Sequence, residues 1–115
     1  MVGDKISLRD ILEKVLEMVK RQGWGEDGVQ DPLHVAMAMS VEMGELLEHF
    51  AWIDKADVEK IRRGENPEEA EEIGEEFADV MIYGLQLMNA LGLDAEEAIL
   101  RKIDIVSARS YPKAE

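Results

Sequence analysis

Apolar residues recur at intervals of three and four along nearly the whole chain, the spacing that puts them on one side of a helix. Leu8, Ile11, Leu12, Val15, Leu16 and Val19 form the first such stripe, and Ser7 before it is a good N-cap. The pattern stops near Gln22, where Gly23, Gly25 and Gly28 make a loop around Trp24. Asp31-Pro32 opens a second helix: a capping side chain, then a proline whose fixed φ and missing N–H suit the first helical position. This helix is predicted to reach about Ile53, with Gly44 as its one breaker, and a short helix follows from Ala56 to Arg63. Asn66-Pro67 repeats the cap-proline start, and the helix it opens should run to about Leu91, where Gly92 closes it. Asp94 caps a last helix through roughly Ala108, and Pro112 ends regular structure. Nowhere do valines and aromatics alternate with polar residues for long enough to predict a strand. The expectation is one all-α domain over residues 1–115, with four main helices and a short one packed as a bundle.

Two of these helices carry acids directly beside their apolar stripes. On the second, Met39, Met43, Leu46, Phe50 and Ile53 read as core, with Glu42, Glu45, His49 and Trp52 alongside. On the fourth, Ile73, Phe77, Val80 and Leu87 read as core, with Glu72, Glu76, Asp79 and Tyr83 alongside. Glu42 with Glu45 and Glu76 with Asp79 are each spaced i, i+3, so both members of a pair leave the helix on one face. Carboxylates this close to a core are costly unless paired, hydrogen-bonded or bound to metal. Two such pairs meeting across the bundle would surround one volume with hard oxygen ligands, which suits Mg²⁺, with Mn²⁺ as a substitute. The bland alternative is acids on solvated helix faces, with Glu72 and Glu75 as a competing pair. Against it, no Lys or Arg sits four residues from Glu42, Glu45, Glu76 or Asp79, and each pair is flanked by large apolar residues. A redox carboxylate bundle would need Glu-x-x-His on each of two helices. The two histidines, His34 and His49, have no Glu three residues before them, which favours an all-oxygen site.

Charge narrows the partners. The chain has 26 acidic and 13 basic residues, a formal net charge of −13, and Glu65 to Asp79 holds eight carboxylates with no Lys or Arg. Such a surface repels a nucleic-acid polymer at long range. A single nucleotide is not excluded, because bound divalent cations reverse the field within one pocket. With no cysteine, disulfides and thiolate metal sites are out. No apolar run reaches membrane-spanning length and no signal peptide is evident, so a cytoplasmic protein away from membranes is expected. The chain is short for the apolar faces it carries, which points to a homo-oligomer.

The acidic segments then resemble a known family. Glu42-Met43-Gly44-Glu45-Leu46-Leu47-Glu48-His49-Phe50-Ala51-Trp52 is similar to the E-x-G-E-L-x-E-x-F-x-W segment of dCTP pyrophosphatases and related MazG-like enzymes. Glu75-Glu76-Phe77-Ala78-Asp79-Val80-Met81-Ile82-Tyr83 is similar to their E-E-x-x-D-V-x-I-Y segment. Lys102-Ile103-Asp104, Arg109 and Tyr111-Pro112 resemble the family's ending, and Pro32 stands ten residues before Glu42 as in the family. The chain departs from the pattern at Gln30, Leu33-His34, Val106 and Ser110, and its 30-residue gap between Glu45 and Glu76 is slightly long.

What the resemblance implies is an all-α enzyme, dimeric or tetrameric, cutting nucleoside triphosphates to the monophosphate and pyrophosphate. Glu42, Glu45, Glu76 and Asp79 would hold Mg²⁺, which polarises the phosphates and activates the attacking water. Glu45 would take the proton, and Lys102 and Arg109 would meet phosphate oxygens. Trp52 and Tyr83 would line the nucleoside side. Apart from the resemblance, Trp24 in its glycine loop reads as either a lid over the base or an ordinary plug, and His34, in the first turn of its helix, is in reach of a ligand. dCTP or a related or modified nucleotide is the expected substrate, in nucleotide-pool house-cleaning. Phosphoribosyl-ATP hydrolysis and a non-enzymatic acidic interaction module are the alternatives.

Overall fold

The computed structural model describes residues 5–25 and 30–110. Five helices follow one another: α1 (Leu8–Gln22), α2 (Pro32–Glu48), α3 (Lys55–Arg62), α4 (Pro67–Ala90) and α5 (Ala95–Ser107). Among the described residues there is no strand. Each start is fixed by a short polar side chain accepting a backbone N–H: Ser7 from Asp10, Asp31 from Leu33, Asp54 from Asp57, Asn66 from Glu69 and Asp94 from Glu97. The predicted stop at Gly23 is also present, with φ +72° and its N–H donating to Lys20 O.

α2 ends five residues before the predicted Ile53. His49 N–H donates to Leu46 O and Phe50 N–H to Leu47 O, so the helix tightens and unwinds. The cause lies downstream. Asp54 and Asp57 form a capping box for α3, which needs Asp54 in extended backbone (φ −112°, ψ −176°) and forces the chain out of helix beforehand.

α4 is the spine. α2 packs along it, and α1, α3 and α5 each touch it more briefly. The core lies between α1 and the second half of α4, where Val15, Val19, Leu85 and Ala95 are buried and Leu8, Leu12, Ile82 and Met88 pack around them. Arg9 ties the start of α1 to the start of α5 through Asp94 (3.2 Å) and Glu96 (3.3 Å). Val35 of α2 and Val80 of α4 are buried as well.

Three residues expected in the core, Met43, Phe50 and Phe77, are instead open in this chain. Leu33, Met37 and Val41 form a further apolar stripe at four-residue spacing along α2, each about 60% or more exposed. On α5, Ile99, Leu100, Ile103 and Val106 are likewise uncovered. The helices are amphipathic as predicted, but one copy of the chain covers only part of their apolar area.

Candidate active site

α2 and α4 run antiparallel, so each acidic pair faces the other helix. Ligand oxygens of Glu42, Glu45 and Glu76 all lie within 4.8 Å of one another. Glu42 and Glu76 are half-buried, Glu45 is exposed, and Glu42 Oε2 and Glu76 Oε2 are buried with no hydrogen-bond partner. Burial pushes the Glu42 carboxyl up from its ordinary 4.5 to about 7. A hydrogen bond that only protonated Glu42 can donate to Glu45 adds to the shift, as do the negative charges of Glu45 and Asp79. Glu76 is raised too, first by burial and then by the charge of Glu45. Asp79 lies outside the close set, yet its charge raises both partners.

This arrangement fits a divalent cation. Two acceptors sheltered from water and without a donor, surrounded by like charge, are unfavourable as they stand and become favourable around a hard cation. All the donors are oxygens, as Mg²⁺ or Mn²⁺ requires.

One turn along, the sequence reasoning missed a second cluster. His49, on the turn after α2, meets Glu69 of α4 through Nδ1, and Glu72 stands with them. In the sequence His49 reads only as a residue alongside the apolar stripe of α2; in the structure it is half-buried and paired. The signal available was its place four residues after Glu45, matched by Glu72 four before Glu76.

The remaining predicted residues are spread more widely. Tyr83 and His34 come together in an open cleft of about 330 Å³, with Gly25, Gln30, Asp31 and Val35. His34 Nδ1 is 3.8 Å from Asp31. Trp24 is partly exposed beside this cleft's Gly25, its N–H donating to Val19 O. Trp52 stands 92% exposed in the turn after α2 and meets no predicted site residue in a cleft. Lys102 lines an apolar cleft between α4 and α5 that also includes Met39, one turn of α2 before Glu42. Arg109 follows the α5 cap, its N–H donating to Val106 O. Tyr111 and Pro112 lie outside the described residues.

Comparison with known proteins agrees with this architecture. The human dCTP pyrophosphatase 1 is 34% identical over 106 residues, 92% of this chain but 59% of the human protein's length. A dATP/dGTP diphosphohydrolase of cyanophage S-2L is 37% identical over 76 residues, covering 56% of this chain and 72% of the phage protein. A crystal structure of a pyrophosphatase from Archaeoglobus fulgidus superposes with a TM-score of 0.69 at 30% identity, covering 98% of this chain and 99% of that one. The MazG-like family profile matches residues 37–113, which include all four acids of the two helices. The chain therefore belongs to the MazG-like family.

Proposed function

We propose that this protein is a divalent-cation-dependent nucleoside triphosphate pyrophosphohydrolase, acting as a homo-oligomer in the cytoplasm. The observation that carries the reading is the Glu42–Glu45–Glu76 cluster with its two buried, unpartnered oxygens. Glu42, Glu45, Glu76 and Asp79 would hold Mg²⁺, with Mn²⁺ as a substitute, and the bound cation supplies charge neutralisation at the phosphates. Water attacks the α phosphorus in line, a new P–O bond forms there, and the bond to the bridging oxygen of the β phosphate breaks. Pyrophosphate leaves with that oxygen, and the nucleoside monophosphate keeps the water's oxygen.

Glu45 is the member assigned to take the water's proton. It is the exposed one of the three, so it can move to meet the water while the half-buried pair stays fixed. Lys102 and Arg109 would offset charge spreading over the phosphates. Tyr83 and His34 share a cleft that would take the nucleoside, with Trp24 at its border; Trp52, past the opposite end of α2, stands apart from it within one chain. The names of the relatives support a nucleotide substrate, and dCTP or a related or modified nucleotide is the reading adopted.

Pyrophosphate release from a panel of canonical and modified NTPs and dNTPs, with Mg²⁺ and with EDTA, tests this directly. Metal-dependent release by the wild type, lost at least about 100-fold in Glu42→Gln and Asp79→Asn without loss of helicity, is expected. Absence of release from every nucleotide, together with no calorimetric Mg²⁺ binding, would leave the acids as a solvated face.

A further inference from the structure

The ligand pattern of the Glu42–Glu45–Glu76 cluster is repeated once along the same two helices. On α4, Glu69 and Glu72 are spaced i, i+3 and stand seven residues before Glu76 and Asp79. On the side of α2, His49 follows Glu42 by seven. Seven residues are two helical turns, about 10 Å of rise, and the helices are antiparallel. The register that sets Glu42 against Glu76 therefore sets His49 against Glu69. Ligand atoms of His49, Glu69 and Glu72 all lie within 4.8 Å of one another. The His49 and Glu69 side chains are 18% and 28% exposed, and Glu72 opens to solvent.

The two clusters differ in their donors. The first offers only carboxylate oxygens, whereas the second has an imidazole nitrogen beside two carboxylates. Mg²⁺ suits the first set, and a borderline ion such as Zn²⁺ takes imidazole and carboxylate together. A tetrahedral ion with bonds of about 2.1 Å spaces its ligands about 3.4 Å apart, within the span of this trio. A His49–Glu69 hydrogen bond by itself accounts for two of the three residues. It leaves Glu72 beside a carboxylate already engaged, and among the described residues no Lys or Arg pairs with either acid. A divalent cation offsets that crowding of negative charge.

We infer that His49, Glu69 and Glu72 form a second divalent-cation site, of the Zn²⁺ type and separate from the Glu42–Glu45–Glu76 cluster. Three protein ligands leave a fourth position for water on the open side, next to Glu72. An ion held there joins the turn after α2 to the first turn of α4, and so closes at its neck the segment that carries α3. Its role is a structural tie, and it does not depend on the hydrolase reading.

The test frees the protein of metal with EDTA, returns it to an excess of Mg²⁺ and titrates in Zn²⁺ while the imidazole proton resonances are followed. The chain has two histidines, and His34, with its side chain 79% exposed, is the internal control. One equivalent of Zn²⁺ should shift the His49 resonance and leave that of His34 in place. Calorimetric Zn²⁺ affinity should fall at least about tenfold in His49→Gln and in Glu72→Gln, and persist in Glu42→Gln. An unmoved His49 resonance overturns the inference. So does an affinity unchanged in Glu72→Gln, or one lost as fully in Glu42→Gln, since Zn²⁺ would then occupy the all-oxygen cluster. Glu72 is exposed, so its variant keeps the fold and decides the matter with the wild-type resonance even if His49→Gln does not fold.

Discussion

Glu42 sits half-buried with the negative charges of Glu45 and Asp79 beside it, and its carboxyl titrates near 7 instead of 4.5. Between those two values the folded chain holds a proton that the unfolded chain has released, so stability falls as pH rises through this window. Glu76, raised for the same reasons, adds in the same direction. Without metal, the melting temperature should therefore decline from about pH 5 to about pH 8, and Mg²⁺ should flatten the decline because it needs the ionised form. Calorimetric scans in EDTA and in Mg²⁺ measure both slopes; a metal-free melting temperature that climbs over that range would contradict the clustering. Asp10, Asp54 and Asp94 do not obscure the window. Their carboxyls are lowered mainly by backbone N–H donors, so their contribution is complete above 3.8 and is lost only in stronger acid. Glu42→Gln should raise the metal-free melting temperature at pH 8 while abolishing Mg²⁺ binding. The acidic pairs were legible because helical spacing alone puts Glu42 with Glu45 and Glu76 with Asp79. The meeting of His49 with Glu69 was not, since it depends on the register of two helices 20 residues apart in sequence. Nor does a sequence show which buried amides, such as that of Gln86, find no partner.

The helices themselves were readable from their ends. Ser7, Asp31-Pro32, Asn66-Pro67 and Asp94 each stand where the structure starts a helix, because capping is a local contest that neighbours three residues away decide. Ser7→Ala removes the acceptor of the Asp10 N–H and should cost about 1 kcal/mol, read as a lower urea midpoint. The end of α2 was missed because the Asp54–Asp57 capping box acts from outside the helix it terminates. Inside α4, Gly74 has nothing within 4 Å of the place a Cβ would occupy. Gly74→Ala should raise stability by about 1 kcal/mol through helix propensity, and an unchanged or lower urea midpoint would show that something outside this chain packs there.

At the scale of the whole molecule, area is the informative quantity. The chain exposes 9160 Å², whereas a compact monomer of this mass exposes about 6,300 Å². Its radius of gyration is 17.1 Å against about 13 Å for a compact chain of this length. The difference in area is of the size an obligate interface buries, and the exposed Leu33, Met37 and Val41 of α2 are apolar enough to form its centre. A second copy covering these faces would also account for Met43, Phe50 and Phe77 reading as core in the sequence and standing open here, since periodicity marks an apolar face without saying which chain covers it. The melting temperature should rise with protein concentration, and Met37→Asp should remove that rise in a dilution series followed by calorimetry and sedimentation. The bare stripe on α2 has one more consequence if a second copy covers it. Subunits are then exchangeable, so an inactive Glu42→Gln chain mixed with wild type would enter its oligomers. The acid cluster is built within one chain, so mixed oligomers should keep the activity of their wild-type subunits, and a shortfall below that sum would show that the covering copy completes the site.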